Sequence, residues 1–331
     1  MKKIIKIEII LLVLLLIAAV GITLVSRGML ILTEPVLIER TPDPIPQEEQ
    51  AEPAEPAEET PAQPKETQAQ AALNLAATRY FAYDLREDAY IRTQGDVNEK
   101  LYPASITKLL TSHTVLQYMD PEETVVVGDA LTLVEADSSV ADLQEGDVLT
   151  VEQLIAAMML PSGNDAAQVA AVATGRAIAG DETLPCEEAK QVFVRAMNAQ
   201  AEILGMENSN FVNPDGWHNE EHYTTMDDLV TLCREVLKNK TILKYTSLAE
   251  ETVLLGEREL EWKNTNFLLH EGGEAYVPST IGLKTGYTEA AGGCLVSAFF
   301  KTDRIILIGV FGGPGFTMDR YLDTVTIYNS L

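Results

Sequence analysis

Thiols and positive charge are both scarce in this 331-residue chain. The three cysteines, Cys186, Cys233 and Cys294, form no CxxC pair, and an odd number cannot all pair internally. A zinc–cysteine site or a disulfide framework is not expected, although one disulfide beside a free thiol fits the count. No cysteine lies near the N-terminus, which excludes a lipoprotein anchor. Only 24 Lys and Arg stand against 50 Asp and Glu, a net charge of −26. Phosphate backbones would repel such a surface, so nucleic acid is not expected as a partner.

The charge that is present is uneven. Residues 1–32 carry +3 (Lys2, Lys3, Lys6 and Arg27 against Glu8). Residues 33–70 carry −8 (ten acids against Arg40 and Lys65), which leaves −21 for 71–331. Behind the N-terminal lysines, Ile9 to Val25 is an apolar run with only Gly21 and Thr23 as mild breaks. At 1.5 Å per residue it spans roughly 26 Å, close to the thickness of a hydrocarbon core. The run exceeds the about 7–15 residues of a signal-peptide core, which favours an uncleaved anchor. Ala19-Val20-Gly21 is the one passable cleavage site, and cleavage there would make the protein secreted. The lysines keep the N-terminal end in the cytoplasm and send the rest across the cell membrane. Next come eight prolines between residues 33 and 70, including Ala51-Glu-Pro-Ala-Glu-Pro56. Proline removes donors and like charges repel, so residues 33–72 are expected to form an extended spacer without a core.

Globular patterning fills the remainder, residues 73–331. Arg79–Asp84 and Ala89–Arg92 read as a strand hairpin. Helical spacing is expected from Ser105 to Met119. Thr150 with Gln153 forms a capping-box signature for a helix through Leu160. Further helices are predicted over Asn164–Thr174, stopping at Gly175, over Glu187–Leu204, closed by Gly205, and over Thr225–Leu237. Strand-like segments follow at Ser279–Thr288, Gly293–Phe300 and Arg304–Phe311, and a helix at about Thr317–Asn329. Strands at both ends with helices between indicate an α+β fold.

Three short motifs carry the chemistry. Pro103-Ala-Ser-Ile-Thr-Lys108 sets Ser105 and Lys108 three apart at a helix start, on one face. A serine hydroxyl is a weak nucleophile until a base takes its proton, and lysine serves only if burial or a nearby cation keeps it neutral. Pro161-Ser-Gly-Asn164 alone is an ordinary turn. Gly282-Leu-Lys-Thr-Gly-Tyr287 falls on a predicted strand, where Gly286 leaves room for a second backbone and Lys284 with Thr285 suits a carboxylate.

Order and spacing change their weight. With roughly 55 and then about 120 residues between them, the motifs resemble those of the active-site serine, penicillin-recognising enzymes. Leu160-Pro-Ser-Gly-Asn-Asp-Ala-Ala167, Leu204-Gly-Met206, Phe211-Val-Asn-Pro214, His222-Tyr-Thr-Thr225 and Asn264-Thr-Asn266 look like D-alanyl-D-alanine carboxypeptidases, the low-molecular-weight penicillin-binding proteins. The resemblance covers about residues 73–315. It implies an antiparallel sheet of about five strands with helices on both faces and an all-helical subdomain. It implies Ser105 as nucleophile, Lys108 as base, Ser162 as proton relay and Asn164 as a peptide-holding group. Lys284 and Thr285 would bind the terminal carboxylate, and the N–H groups of Ser105 and Tyr287 would form the oxyanion hole. The implied partners are stem peptides ending in D-Ala-D-Ala, and β-lactams as covalent inhibitors, without cofactor or metal.

The chain also departs from that family. The family's second β-rich domain and C-terminal anchor do not follow the final helix, so the N-terminal segment is expected to serve as anchor. Tyr287 stands where some relatives have histidine, and Trp217 where a smaller apolar residue is usual. A class A-like β-lactamase would need a Glu-x-x-Leu-Asn loop to hold its deacylating water, and none exists here. A non-turnover wall or antibiotic sensor on the same fold would acylate but not release product. His218-Asn-Glu-Glu-His222 has inverted zinc-peptidase spacing, yet Pro214 and Gly216 upstream argue for a loop. His113 is expected in the core, Trp262 and Tyr276 in the core or cleft wall. The glutamates at 250, 251, 257, 259 and 261 should form a solvated strand face.

Overall fold

The computed structural model describes residues 72–331. The expected N-terminal anchor (1–32) and nearly all of the spacer (33–72) lie outside them. Among the described residues no helix is long and apolar enough to cross a membrane.

Nine strands are defined there: β1 Arg79–Asp84, β2 Ala89–Gln94, β3 Thr124–Val126, β4 Val148–Thr150, β5 Glu250–Leu255, β6 Arg258–Lys263, β7 Thr280–Thr288, β8 Gly292–Lys301 and β9 Arg304–Gly313. Seven α-helices accompany them: α1 Thr107–Tyr118, α2 Val151–Met159, α3 Asn164–Ala179, α4 Cys186–Leu204, α5 Met226–Val236, α6 Lys240–Ser247 and α7 Asp319–Asn329. The main sheet is antiparallel with five strands in the order β2-β1-β9-β8-β7, and β3–β4 and β5–β6 form separate hairpins.

Both faces of the sheet are covered. Side chains alternate across a strand, so Tyr80, Ala82, Leu295, Phe299, Ile306, Ile308 and Val310 meet Tyr321 and Ile327 of α7. Phe81, Tyr83, Val296, Ala298 and Leu307 face the opposite way, into the core shared with α1–α6. Burial on two sides explains why β8 and β9 read as nearly continuous apolar runs rather than alternating ones. The fold is therefore α+β, a five-stranded antiparallel sheet between helical layers.

Local signals mostly match. Thr150 and Gln153 cap α2 reciprocally, Gln153 N–H to Thr150 Oγ1 at 3.1 Å and Thr150 N–H to Gln153 Oε1 at 2.9 Å. Helix α3 corrects one expectation: it runs through Gly175 and stops at Gly180, whose φ is +65°. A Cβ on Gly175 would lie 2.0 Å from the Ala189 carbonyl oxygen, so this glycine lets α3 and α4 touch and does not end a helix. All three cysteines are free, so the disulfide that the count allowed does not form. The β5–β6 hairpin points Glu250, Glu259 and Glu261 outward and buries Val253, Leu255 and Trp262. Residues 218–222 form a loop, as Pro214 and Gly216 indicated.

Candidate active site

The turn that carries Ser105 is wound more tightly than the sequence indicated. Ser105 lies in a 3₁₀ turn, Ala104–Ile106, that runs straight into α1. Ala104 holds φ +48°, a left-handed conformation that costs an L-residue roughly 1–2 kcal/mol. Two glycines flank this turn. A Cβ on Gly216 would sit 1.9 Å from Ala104 O, and one on Gly286 would sit 2.8 Å from Pro103 O and 3.2 Å from Ser105 N. The backbone that Gly286 admits is thus the chain's own nucleophile turn.

One helical turn further on, Lys108 is fully buried. Its Nζ lies 2.9 Å from Ser105 Oγ, 2.7 Å from Asn164 Oδ1 and 2.8 Å from the carbonyl oxygen of Asp215. Burial pushes its pKa down to about 8, against the opposing pull of the Asp215 and Asp165 carboxylates. At neutral pH roughly a tenth of such amines are unprotonated, enough to act as a general base.

Ser162 and Asn164 flank the α2–α3 break. Ser162 takes φ +63°, with Gly163 N–H on Ala157 O at 2.9 Å and Asn164 N–H on Ser139 O at 2.8 Å fixing the turn after it. Ser162 is only 4% exposed and lines the cavity described below. Asn164 accepts from Lys108 and donates to Ser138 Oγ at 3.1 Å, which settles its amide orientation.

The edge strand β7 supplies the other side. Lys284 is 1% exposed, and its Nζ donates to Thr285 O at 3.2 Å. Burial holds its pKa well below the usual lysine range, and the positive charges of Lys108 and Arg320 push it the same way. The Thr285 hydroxyl is paired with Thr265 Oγ1 at 2.6 Å, and Thr265 O accepts from Tyr321 OH at 2.6 Å. Arg320 at the start of α7 is buried, donates to Gly286 O at 3.3 Å and stacks over Phe316 and Tyr321. Among the described residues its Nε has no hydrogen-bond partner.

These groups surround one cavity of about 750 Å³. Ser105, Ser162, Asn164, Thr285, Gly286 and Tyr287 line it, while Lys108 and Lys284 are buried behind its wall. Trp217 also lines it. Three contributors escaped the sequence reading. Thr265 sits inside the quoted Asn264-Thr-Asn266, and Asp215 directly follows Phe211-Val-Asn-Pro214, so both had a local signal. Arg320 had none, because its place is set by the packing of α7 on the sheet.

The decoy histidine is accounted for. His222 is buried, with Nε2 2.8 Å from Thr107 Oγ1 and Nδ1 accepting from Val212 N–H at 3.2 Å. Burial lowers its pKa to about 3, with His218 acting in the same direction. His113 and Trp262 are buried in the core, as expected.

A serine beside a buried lysine, packed against the edge of a five-stranded antiparallel sheet, places the fold and cavity among the active-site serine DD-peptidases. The chain belongs to the D-alanyl-D-alanine carboxypeptidase family of peptidases S11, whose family model matches residues 65–314. D-alanyl-D-alanine carboxypeptidase DacF of Bacillus subtilis is 31% identical over 232 residues, 69% of this chain. A D-alanyl-D-alanine carboxypeptidase of Streptomyces sp. strain K15 is 32% identical over 213 residues, 61% of this chain. The chain spans 55% of the length of the first and 69% of the second. The crystal structure of the Streptomyces K15 DD-transpeptidase superposes with a TM-score of 0.70 at 28% identity, covering 78% of this chain and 98% of that one.

Proposed function

We propose that the protein is a serine-type D-Ala-D-Ala carboxypeptidase that removes the terminal D-alanine of peptidoglycan pentapeptides through an acyl-enzyme on Ser105. The observation that carries this reading is Lys108: a buried amine, tuned to about 8, at 2.9 Å from the Ser105 hydroxyl. In its neutral form the amine accepts the hydroxyl proton as Ser105 Oγ attacks the carbonyl carbon between the two D-alanines. The oxyanion that forms is held by the N–H groups of Ser105 and Tyr287, and in most acyl transfers such donors stabilise the transition state more than any other group does. As the C–N bond breaks, the proton passes through the Ser162 hydroxyl to the departing amine. Water then attacks the ester and frees the serine. Thr285 presents its hydroxyl to the terminal carboxylate, with Arg320 supplying positive potential from behind and Lys284 bracing the strand by donating to Thr285 O. β-Lactams would acylate the same serine and stay, because their leaving group remains tethered.

Incubating the full chain with a D-Ala-D-Ala-terminated pentapeptide tests this directly. Repeated release of free D-alanine is expected, and Ser105→Ala should lose both that release and labelling by fluorescent penicillin. A single acylation without turnover would instead identify a sensor, and labelling retained in the variant would reject Ser105 as nucleophile.

The same proposal places the enzyme at the cell membrane. The Ile9–Val25 run supports a single N-terminal anchor, and the proline-rich stretch after it supports a spacer that holds the catalytic residues away on the extracytoplasmic side. Mass spectrometry of the membrane-bound protein should find the N-terminal residues intact. A mature N-terminus near Ile22 would mean a cleaved signal.

A further inference from the structure

One part of the cavity wall belongs to no helix or strand. Residues 137–143 are irregular, with Asp137 at φ +62° and Asp142 at φ +61°, yet Asp137, Ser138 and Ser139 line the cavity. Such a segment would ordinarily be among the least stable parts of a domain. Here it is fastened from two independent directions.

The first fastening is Asp165, in the opening turn of α3 and 3% exposed. Its Oδ1 accepts from Ala141 N–H at 2.8 Å, and its Oδ2 accepts from Ala141 N–H and Leu143 N–H, each at 3.0 Å. Oδ1 also accepts from Ala166 N–H at 2.8 Å. No ion pair involves Asp165 among the described residues. Burying an unpaired carboxylate is costly, and its return is a set of short charge-assisted bonds to the wall's own backbone. Gly163 makes the approach feasible, since a Cβ there would meet Asp165 Oδ1 at 2.6 Å and Ala141 Cβ at 2.9 Å.

The second fastening comes from the β5–β6 hairpin. Trp262 Nε1 donates to Ala141 O at 3.0 Å, and Arg258 donates to Asp142 O at 3.0 Å while pairing with Asp147. Ala141 is therefore held at its N–H by Asp165 and at its carbonyl by Trp262. The segment also reaches the chemistry. Asn164, adjacent to Asp165, binds Ser139 O through its N–H and Ser138 Oγ through its amide, while its Oδ1 accepts from Lys108.

We propose that Asp165 and Trp262 are positioning residues, which together fix residues 137–143 as the wall against which the acyl-donor peptide is laid and keep Asn164 on Lys108. This rests on the carboxypeptidase reading for what enters the cavity. Neither side chain is among the residues lining the cavity, so their effect on the reaction passes through the wall.

The test pairs kinetics with amide hydrogen exchange on the full chain. Trp262→Phe keeps one aromatic ring but removes the indole N–H and part of the buried volume, and is expected to raise KM for the pentapeptide a few-fold with kcat changed less than about twofold. Asp165→Asn is expected to raise KM about tenfold or more, since loose positioning is felt strongly at a reacting centre. In both variants the amides of residues 139–143 should exchange faster than in the unmodified protein, while those of β8 and β9 stay protected. Should Asp165→Asn fail to fold, Trp262→Phe and Ser138→Ala carry the test alone. A silent Trp262→Phe would remove Trp262 from the wall, an Asp165→Asn that lowers kcat without raising KM or loosening the wall would mean that Asp165 acts only through the charge it presents to Lys108, and either would overturn the proposal. If the unmodified chain neither labels with penicillin nor releases D-alanine, the functional reading fails, and the exchange data still decide whether the two residues hold the wall.

Discussion

Two buried lysines stand behind the wall of the same cavity on different sides, and their surroundings differ. Lys108, on the helical side, has three oxygen partners and the negative charges of Asp215 and Asp165 near it, which leave its pKa at about 8. Lys284, on the sheet side, has one carbonyl partner and two neighbouring cations, which drive it further down. Burial alone lowers both. The neighbouring charges then act in opposite senses: carboxylates pull Lys108 back up against burial, while cations push Lys284 the same way as burial does. The sheet side also holds the buried Arg320 guanidinium, which donates to Gly286 O at 3.3 Å.

Breaking the helical side should do the most damage. Lys108→Ala is expected to slow acylation of Ser105 by about 10²–10⁴-fold, the range of a lost general base, measured as the rate of penicillin labelling in single-turnover conditions. Breaking the sheet side should cost less. Lys284→Ala is expected to reduce kcat/KM on D-Ala-D-Ala peptides by roughly tenfold, about the net worth of one hydrogen bond, since the amine lies behind the wall and acts through Thr285. An unchanged rate would remove Lys284 from carboxylate recognition and leave that duty to Thr285 and Arg320.

The smallest effect sharpens the contrast. A lysine serving as base must be neutral, so on the proposed reading acylation should rise with pH and level off above about 8. Asp215 raises the Lys108 pKa, and Asp215→Asn removes that charge while retaining an acceptor for Trp217 N–H. The acid limb of the pH–rate profile is expected to move to lower pH. A limb that stays in place would show that Asp215 is electrostatically silent, and one that moves up would contradict the sign.

Much of this arrangement is legible in the chain itself. Ser105, Lys108, Ser162, Asn164 and the Lys284–Tyr287 strand are short linear signals, and their spacing joins them. Gly175 misleads because a glycine near a helix end looks the same whether it stops the helix or admits a neighbour, and the neighbour, Ala189, lies on another element. Helix α6 escapes notice because eight residues after Asn239 give too few turns for a clear period. The wall at 137–143 has no periodicity, and its order comes from Asp165 and Trp262, distant in sequence. What separates the two lysines is likewise invisible in the chain, since charge neighbours are tertiary facts.

The flanking glycines at 216 and 286 give the nucleophile turn an unusual kind of security. Its location is defined by vacancies: the loop carrying residue 216 and the edge strand can close on residues 103–105 only because neither brings a methyl group there. An attraction that is weakened can be restored elsewhere, but lost room cannot be regained in a packed interior. Sequence drift at these two positions is therefore constrained by volume rather than by chemistry. The tolerance of the site to change should be narrowest where it has the fewest atoms.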